Sequence, residues 1–187
     1  MIKEFTLKYL NDLHETLRGC DLEKVEGIIN SLLVAYEEEK QIFIMGNGGS
    51  GSTASHFACD MNKGVSLGLE KRFKVMSLCD NIPTMLAYAN DCSYDDIFVE
   101  QLKNFLNPGD IVIGISGSGN SKNVVRAIQY ANERGVTTIA WSGFDGGVIA
   151  KIAKSSFVAP VHDMQKVEDV HLILTHIIMQ ILHKKLR

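Results

Sequence analysis

His56 and Asp60 lie four residues apart, so on a helix their side chains share one face a turn apart. An imidazole and a carboxylate placed in this way suit proton transfer or metal ligation. Near the C-terminal end, Glu168, Asp169, His171 and His176 add further carboxylates and imidazoles along one apolar stretch. Two glycine- and serine-rich runs offer a different chemistry. The first, Gly46-Asn47-Gly48-Gly49-Ser50-Gly51-Ser52-Thr53, and the second, Gly114-Ile115-Ser116-Gly117-Ser118-Gly119-Asn120-Ser121, are rich in hydroxyls and in residues that let backbone approach a ligand closely. Both follow apolar runs and precede helical patterns. A strand–loop–helix junction gathers unpaired N–H groups at the positive end of a helix dipole, which suits a phosphate.

The elements that must position these residues alternate in type. Strands are expected at 42–45, 73–78, 111–115, 136–141 and 156–159, the last an edge strand ended by Pro160. The near-continuous apolar run Ile111–Ile115 reads as a strand buried on both faces. Helices are expected at 50–63, near 82–90 and 95–104, at 121–134, at 146–154 and from 163 to 185. Asn107-Pro108-Gly109-Asp110 reads as a turn. Before the first strand, Phe5, Leu7, Leu10, Leu13 and Leu17 predict a helix over 3–18. A second, capped by Asp21, shows its apolar face at Val25, Ile28, Ile29, Leu32 and Leu33. The expected fold is α/β: a three-layer α/β/α arrangement with a five-stranded parallel sheet, preceded by two N-terminal helices. One domain covers 1–187, with a helical pair at 1–38 and the α/β core at 41–187. In such sheets ligands bind beyond the carboxyl ends of the strands, so the two loops are expected to converge on one phosphorylated ligand.

Other functions fit less of the chain. Gly46, Gly48 and Gly51 match the dinucleotide-binding spacing, with Asp80 just past the second strand where it could hold a ribose. A nicotinamide-dependent oxidoreductase therefore stays open, although it leaves the second serine loop unexplained. Ser52 stands where an ATP-binding loop needs lysine, which argues against ATP hydrolysis. Net charge is −3 with no basic block, so no nucleic-acid partner is expected. No apolar run reaches the ~18 residues of a membrane span, and the N-terminal residues do not read as a signal peptide. Cys20, Cys59, Cys79 and Cys92 form no C-x-x-C pair, which favours free thiols and a cytoplasmic location.

Gly46-Asn47-Gly48-Gly49-Ser50, His56-Phe57-Ala58, Ala89-Asn90-Asp91, Asp95 with Ile97-Phe98, Gly109 through Ser121, and Gly143-x-Asp145-Gly146-Gly147 together resemble the sugar-isomerase (SIS) domain. Within it the pattern is similar to the phosphoheptose isomerase family, over nearly the whole chain. The resemblance implies a flavodoxin-like fold and an aldose–ketose isomerase acting on a sugar phosphate, sedoheptulose 7-phosphate. It implies substrate contacts at Asn47, Gly48, Gly49, Ser50, Asp91, Ser116, Gly117, Ser118, Ser121 and Glu168. The catalytic carboxylate maps to Asp60 and the catalytic histidine to His176. A zinc ion maps to His56, Asp60, Glu168 and His176, an imidazole–carboxylate set that suits this metal. The family also contains non-catalytic relatives, so a sugar-phosphate-binding or partner-binding scaffold is the alternative.

The chain departs from the family pattern around the sugar. Asp60 replaces a glutamate, Glu168 a glutamine, and Gly117 a threonine, while Lys63 and Gly64 stand where an arginine is expected. Glu168 and His176 are eight residues apart, ~12 Å along a helix, and so are poorly placed to meet one ion from a single chain. That spacing points to a site shared between subunits. The resemblance implies a homotetramer, with the two leading helices and the last helix as assembly surfaces.

Overall fold

Residues 1–187 are described by a computed structural model. In chain order its helices are α1 (Ile2–Arg18), α2 (Leu22–Glu37), α3 (Gly48–Cys59), α4 (Ile82–Asp91), α5 (Val99–Phe105), α6 (Lys122–Glu133), α7 (Gly147–Ile152) and α8 (Met164–Lys185). Its strands are β1 (Gln41–Gly46), β2 (Lys74–Ser77), β3 (Ile111–Ile115), β4 (Thr137–Ser142) and β5 (Ser155–Val158). All five strands run parallel in the order β2-β1-β3-β4-β5.

The period of two along each strand decides the layers. In β1, Ile42 and Ile44 join one apolar cluster while Phe43 and Met45 join the other, and all four are fully buried. On the first face the sheet is covered by Ile28 and Leu32 of α2, Phe57 of α3, and Leu174 and Ile178 of α8. On the second face it is covered by Leu102 of α5, Val124 and Ile128 of α6, and Ile149 of α7. The five-stranded, helix-sandwiched fold expected from the sequence is therefore present, as are the four free cysteines. No helix is long and apolar enough to cross a membrane.

Three local features differ from the expectation. The helix expected over 50–63 starts earlier and changes character at Asp60, continuing as a π-helical turn over Asp60–Val65. The region 95–104 is a short 3₁₀ turn, Tyr94–Asp96, followed by α5. The two leading helices also have different roles. α2 is core, whereas α1 rests on the body through Leu13 and Leu17 and leaves Phe5, Leu7 and Leu10 exposed. Near its middle, α1 is tied to α8 by Tyr9, whose hydroxyl donates to Asp169 at 2.6 Å beneath the Lys166 ammonium. That hydrogen bond, followed by desolvation, pushes the Tyr9 phenol up to about 12.

Candidate active site

Strand order brings the two loops together. β1 and β3 are neighbours, although β2 and its helices separate them in sequence, and Gly46 pairs in register with Ile115. The loops that leave these strands therefore open side by side where the strand order reverses, the place an open α/β sheet binds ligands. They line one cavity of about 290 Å³ with Asn47, Gly48, Gly49, Ser50, Ser116, Gly117, Ser118 and Ser121. Ser116 and Ser121 hydroxyls lie 3.0 Å apart, and the Ser118 hydroxyl accepts from the Asn120 N–H.

Asp21, Asn81 and Asp163 each cap their own helix with a side-chain oxygen. At the two helices that start at the cavity, neither Asn47, before α3, nor Ser121, before α6, makes a side-chain cap, which is also true of α1, α5 and α7. At α3 no side chain takes the first-turn N–H groups, and at α6 only the Val124 N–H is taken, by Asn123 Oδ1, so the others can serve an anion, backed by two helix dipoles. No lysine or arginine lines the cavity, so a phosphate there depends on backbone donors and serine hydroxyls.

Asn47 has a role that its position in the loop did not reveal. Its carboxamide pairs reciprocally with that of Asn123, on the first turn of α6, with both hydrogen bonds at 2.9 Å. The Tyr94 hydroxyl also donates to Asn47 Oδ1 at 2.9 Å. Asn123 is buried, and its Oδ1 accepts the Val124 N–H as well. One amide pair thus fixes the distance between the two loops. Sequence reasoning missed Asn123 and Tyr94; a buried asparagine inside an amphipathic helix, two residues after the loop, was the available signal.

About two and three turns beyond the cradle, at the end of α3 and just past it, His56 and Asp60 meet His176. His56 Nε2 stands 3.0 Å from His176 Nε2 and 3.3 Å from Asp60 Oδ2. The two rings meet edge to face at 5.0 Å between centroids. One ligand atom from each of His56, Asp60 and His176 lies within 4.8 Å of the others. Two imidazole nitrogens and a carboxylate so close together form a donor set that fits zinc.

The remaining predicted residues take separate positions. Glu168 lies outside this cluster, at the cradle: its carboxylate packs over Gly49, within 2.7 Å of where a Cβ would stand. Only a glycine at 49 leaves room for it. Gly117 similarly leaves space that Met164 fills. Asp91 ends α4 in an exposed position, where its Oδ1 accepts from Asn90, and it lines neither cavity beside the glycine loop. Asp80 receives the Ser55 hydroxyl at 2.5 Å, on the other side of α3 from the serine cradle.

His171 is structural. It is buried between α8 and the end of β4, with Nε2 3.0 Å from the Ser142 carbonyl and no partner for Nδ1 in the protein. Burial holds its imidazole down at about 4. The end of β4 it anchors also touches the cradle, because the Gly143 N–H donates to the Gly117 carbonyl at 2.9 Å. α8 is thereby tied to the second loop, and with it Glu168 and His176.

Residues 7–143 match the SIS domain family. The chain is 33% identical to the phosphoheptose isomerase of Sulfurimonas denitrificans over 185 residues, covering 98% of this chain and 92% of that one. It is also 33% identical to the phosphoheptose isomerase of Helicobacter pylori over 176 residues, covering 94% and 87%. Its fold superimposes on the structure of phosphoheptose isomerase GmhA from Neisseria gonorrhoeae with a TM-score of 0.90 at 26% identity, over 98% of this chain and all of that one. These matches, spanning both phosphate loops and the last helix, place the chain in the SIS-domain family, within its phosphoheptose isomerase branch.

Proposed function

We propose that the protein interconverts sedoheptulose 7-phosphate and D-glycero-D-manno-heptose 7-phosphate by proton transfer through an enediol. One observation carries the reading: a single helix, α3, begins at the phosphate cradle and ends at the His56–Asp60–His176 cluster. From Gly49 to His56 the helix rises about 10 Å. An extended seven-carbon chain with bonds of about 1.5 Å spans about that distance from its phosphate to C1.

In this reading Ser50, Ser116, Ser118, Ser121 and the loop backbone of Asn47–Gly49 hold the phosphate. Asp60 takes the proton from C1 of the ketose while His176 protonates O2, which yields the enediol. Asp60 then returns the proton to C2 and His176 removes the one on O1, so the step is redox-neutral within the substrate. Asp91 and Gly117 belong to the sugar-binding end through the family resemblance. Zinc held by His56, Asp60 and His176, with Glu168 as the fourth ligand that the resemblance implies, supplies polarisation of the substrate oxygens when bound. The donor set at the cluster supports this assignment.

The proposal extends to assembly as a homotetramer with shared sites and to a cytoplasmic location. Phe5, Leu7 and Leu10, exposed at 69%, 62% and 55% along α1, support a buried interface there. Light scattering that found a fully active monomer would remove this part.

The test is turnover of sedoheptulose 7-phosphate, with exchange of its C1 proton followed by NMR. Asp60→Asn and His176→Gln are each expected to reduce turnover at least about 100-fold. Chelation is expected to do the same until zinc is restored. Unchanged turnover in both variants refutes the assignment. Ligand binding with no exchange in the wild type points to the non-catalytic scaffold.

A further inference from the structure

We propose that the π-helical turn Asp60–Val65 aims the Asp60 carboxylate, and that Asn62 is the positioning residue that holds this turn in place. The inference rests on the reading of Asp60 as the proton-transferring base. π turns are rare and occur mostly as single turns at functional sites, where the extra residue per turn redirects side chains. This one begins at Asp60 itself, and its i→i+5 bond runs from the Ser66 N–H to the Met61 carbonyl at 3.3 Å.

A turn with a widened hydrogen-bond ladder needs outside support, and Asn62 provides it. β2 is the edge strand, so the outward backbone groups of Val75 have no strand partner. Asn62 Nδ2 donates to the Val75 carbonyl at 2.7 Å, and Asn62 Oδ1 accepts the Val75 N–H at 3.1 Å. One carboxamide thus completes the sheet edge as a strand residue does and fastens the π turn to the sheet. The far end is held separately. Ser66, fully buried, donates to the Met61 carbonyl at 2.8 Å and accepts the Phe73 N–H at 3.0 Å. Gly64 lies beneath the carboxylate, with Asp60 Oδ1 3.9 Å from where its Cβ would stand.

Asn62 is solvent-exposed at the rim of a cleft of about 820 Å³ that contains neither the serine cradle nor the His56–Asp60–His176 cluster. Losing its side chain therefore leaves the phosphate site and the core untouched, and the effect falls on the aim of Asp60. A misplacement of about 1 Å at a reacting group can cost up to ~100-fold in rate. Asn62 is only one of the supports, so a smaller loss follows.

Asn62→Ala is expected to lower kcat about tenfold with KM within about twofold, and to weaken zinc affinity of the metal-stripped protein about tenfold in a chelator competition. Asn62→Asp keeps the acceptor for the Val75 N–H but loses the donor, so its kcat should fall between those of wild type and Asn62→Ala. It also decides the matter if the alanine variant does not fold. Wild-type kcat in both variants overturns the inference, as does a lowered Tm with kcat and zinc affinity unchanged. Asp60→Asn run in parallel separates the two claims. If it keeps turnover, the base assignment itself is wrong. If it is inactive while Asn62→Ala is normal, only the positioning role is wrong.

Discussion

His171→Gln should make the protein resistant to acid over a defined pH range. The imidazole of His171 is buried, has one carbonyl partner and is held at about 4 against an ordinary value of 6.5. The folded state thus resists protonation while the unfolded state accepts it, so stability is lost as pH falls below 6.5 and the loss levels off below about 4. Between pH 7 and pH 4.5 this linkage amounts to about 2 to 3 kcal/mol from this one residue, because each unit of difference corresponds to about 1.4 kcal/mol. A glutamine can place its amide N–H near the position of Nε2 and still donate to Ser142, yet it cannot be charged. Ser142 also accepts the Ala159 N–H at 2.8 Å, so its carbonyl stays satisfied even if the new bond is imperfect. The variant should therefore lie within about 1 kcal/mol of wild type at pH 7, the worth of one neutral hydrogen bond. Urea unfolding of both proteins at pH 7 and pH 4.5 is the assay. Carboxylates titrate in both proteins and cancel in the comparison. If wild type and variant lose equal stability over that interval, to within about 0.5 kcal/mol, the burial argument is wrong.

Two further outcomes follow from the loops. Tyr94→Phe removes only the hydroxyl that donates to Asn47 Oδ1. KM for the sugar phosphate should rise about 2- to 10-fold with kcat nearly constant, since one neutral hydrogen bond to the inter-loop brace is lost. A fall in kcat at constant KM would instead assign Tyr94 to the chemistry. Gly119→Ala meets two obstacles, a positive φ of 70° and a Cβ that would collide with the Gly146 carbonyl oxygen. Neither is a flexible side-chain tip, so a stability loss of at least about 2 kcal/mol is expected in the urea midpoint.

The loop half of the candidate site was legible because it is written locally. Apolar runs such as Ile42–Met45 and Ile111–Ile115 mark buried strands, and the glycines and serines that follow mark where backbone must approach a ligand. Helix periodicity placed His56 and Asp60 on one face and α2, α6 and α8 nearly to the residue. The π turn escaped because its cause lies elsewhere in the chain. Nothing in Asp60-Met-Asn-Lys-Gly-Val65 forbids a regular helix; the turn is stabilised by Val75 and Phe73, which a local pattern does not bring near. Likewise, α1 shows a strong apolar periodicity yet leaves Phe5, Leu7 and Leu10 exposed, because periodicity marks an apolar face without saying what packs on it.

Glu168 shows how the two kinds of information combine. Its spacing from His176 correctly implied that the two side chains of one α8 would not meet at one point. The spacing could not say where the carboxylate goes, and the structure places it against the first turn of α3 at Gly49. There it adds a negative charge to a cavity without lysine or arginine, next to N–H groups that no side chain caps. A carboxylate at a helix N-terminus is electrostatically favoured, which accounts for the close approach. It also means that an incoming phosphate meets an anion already using the same dipole. The affinity of the cradle should therefore depend on how far Glu168 can turn away from Gly49, and so on the position of α8, which is held by its core residues Val167, Val170, Leu174 and Ile178 and by the His171 contact with β4.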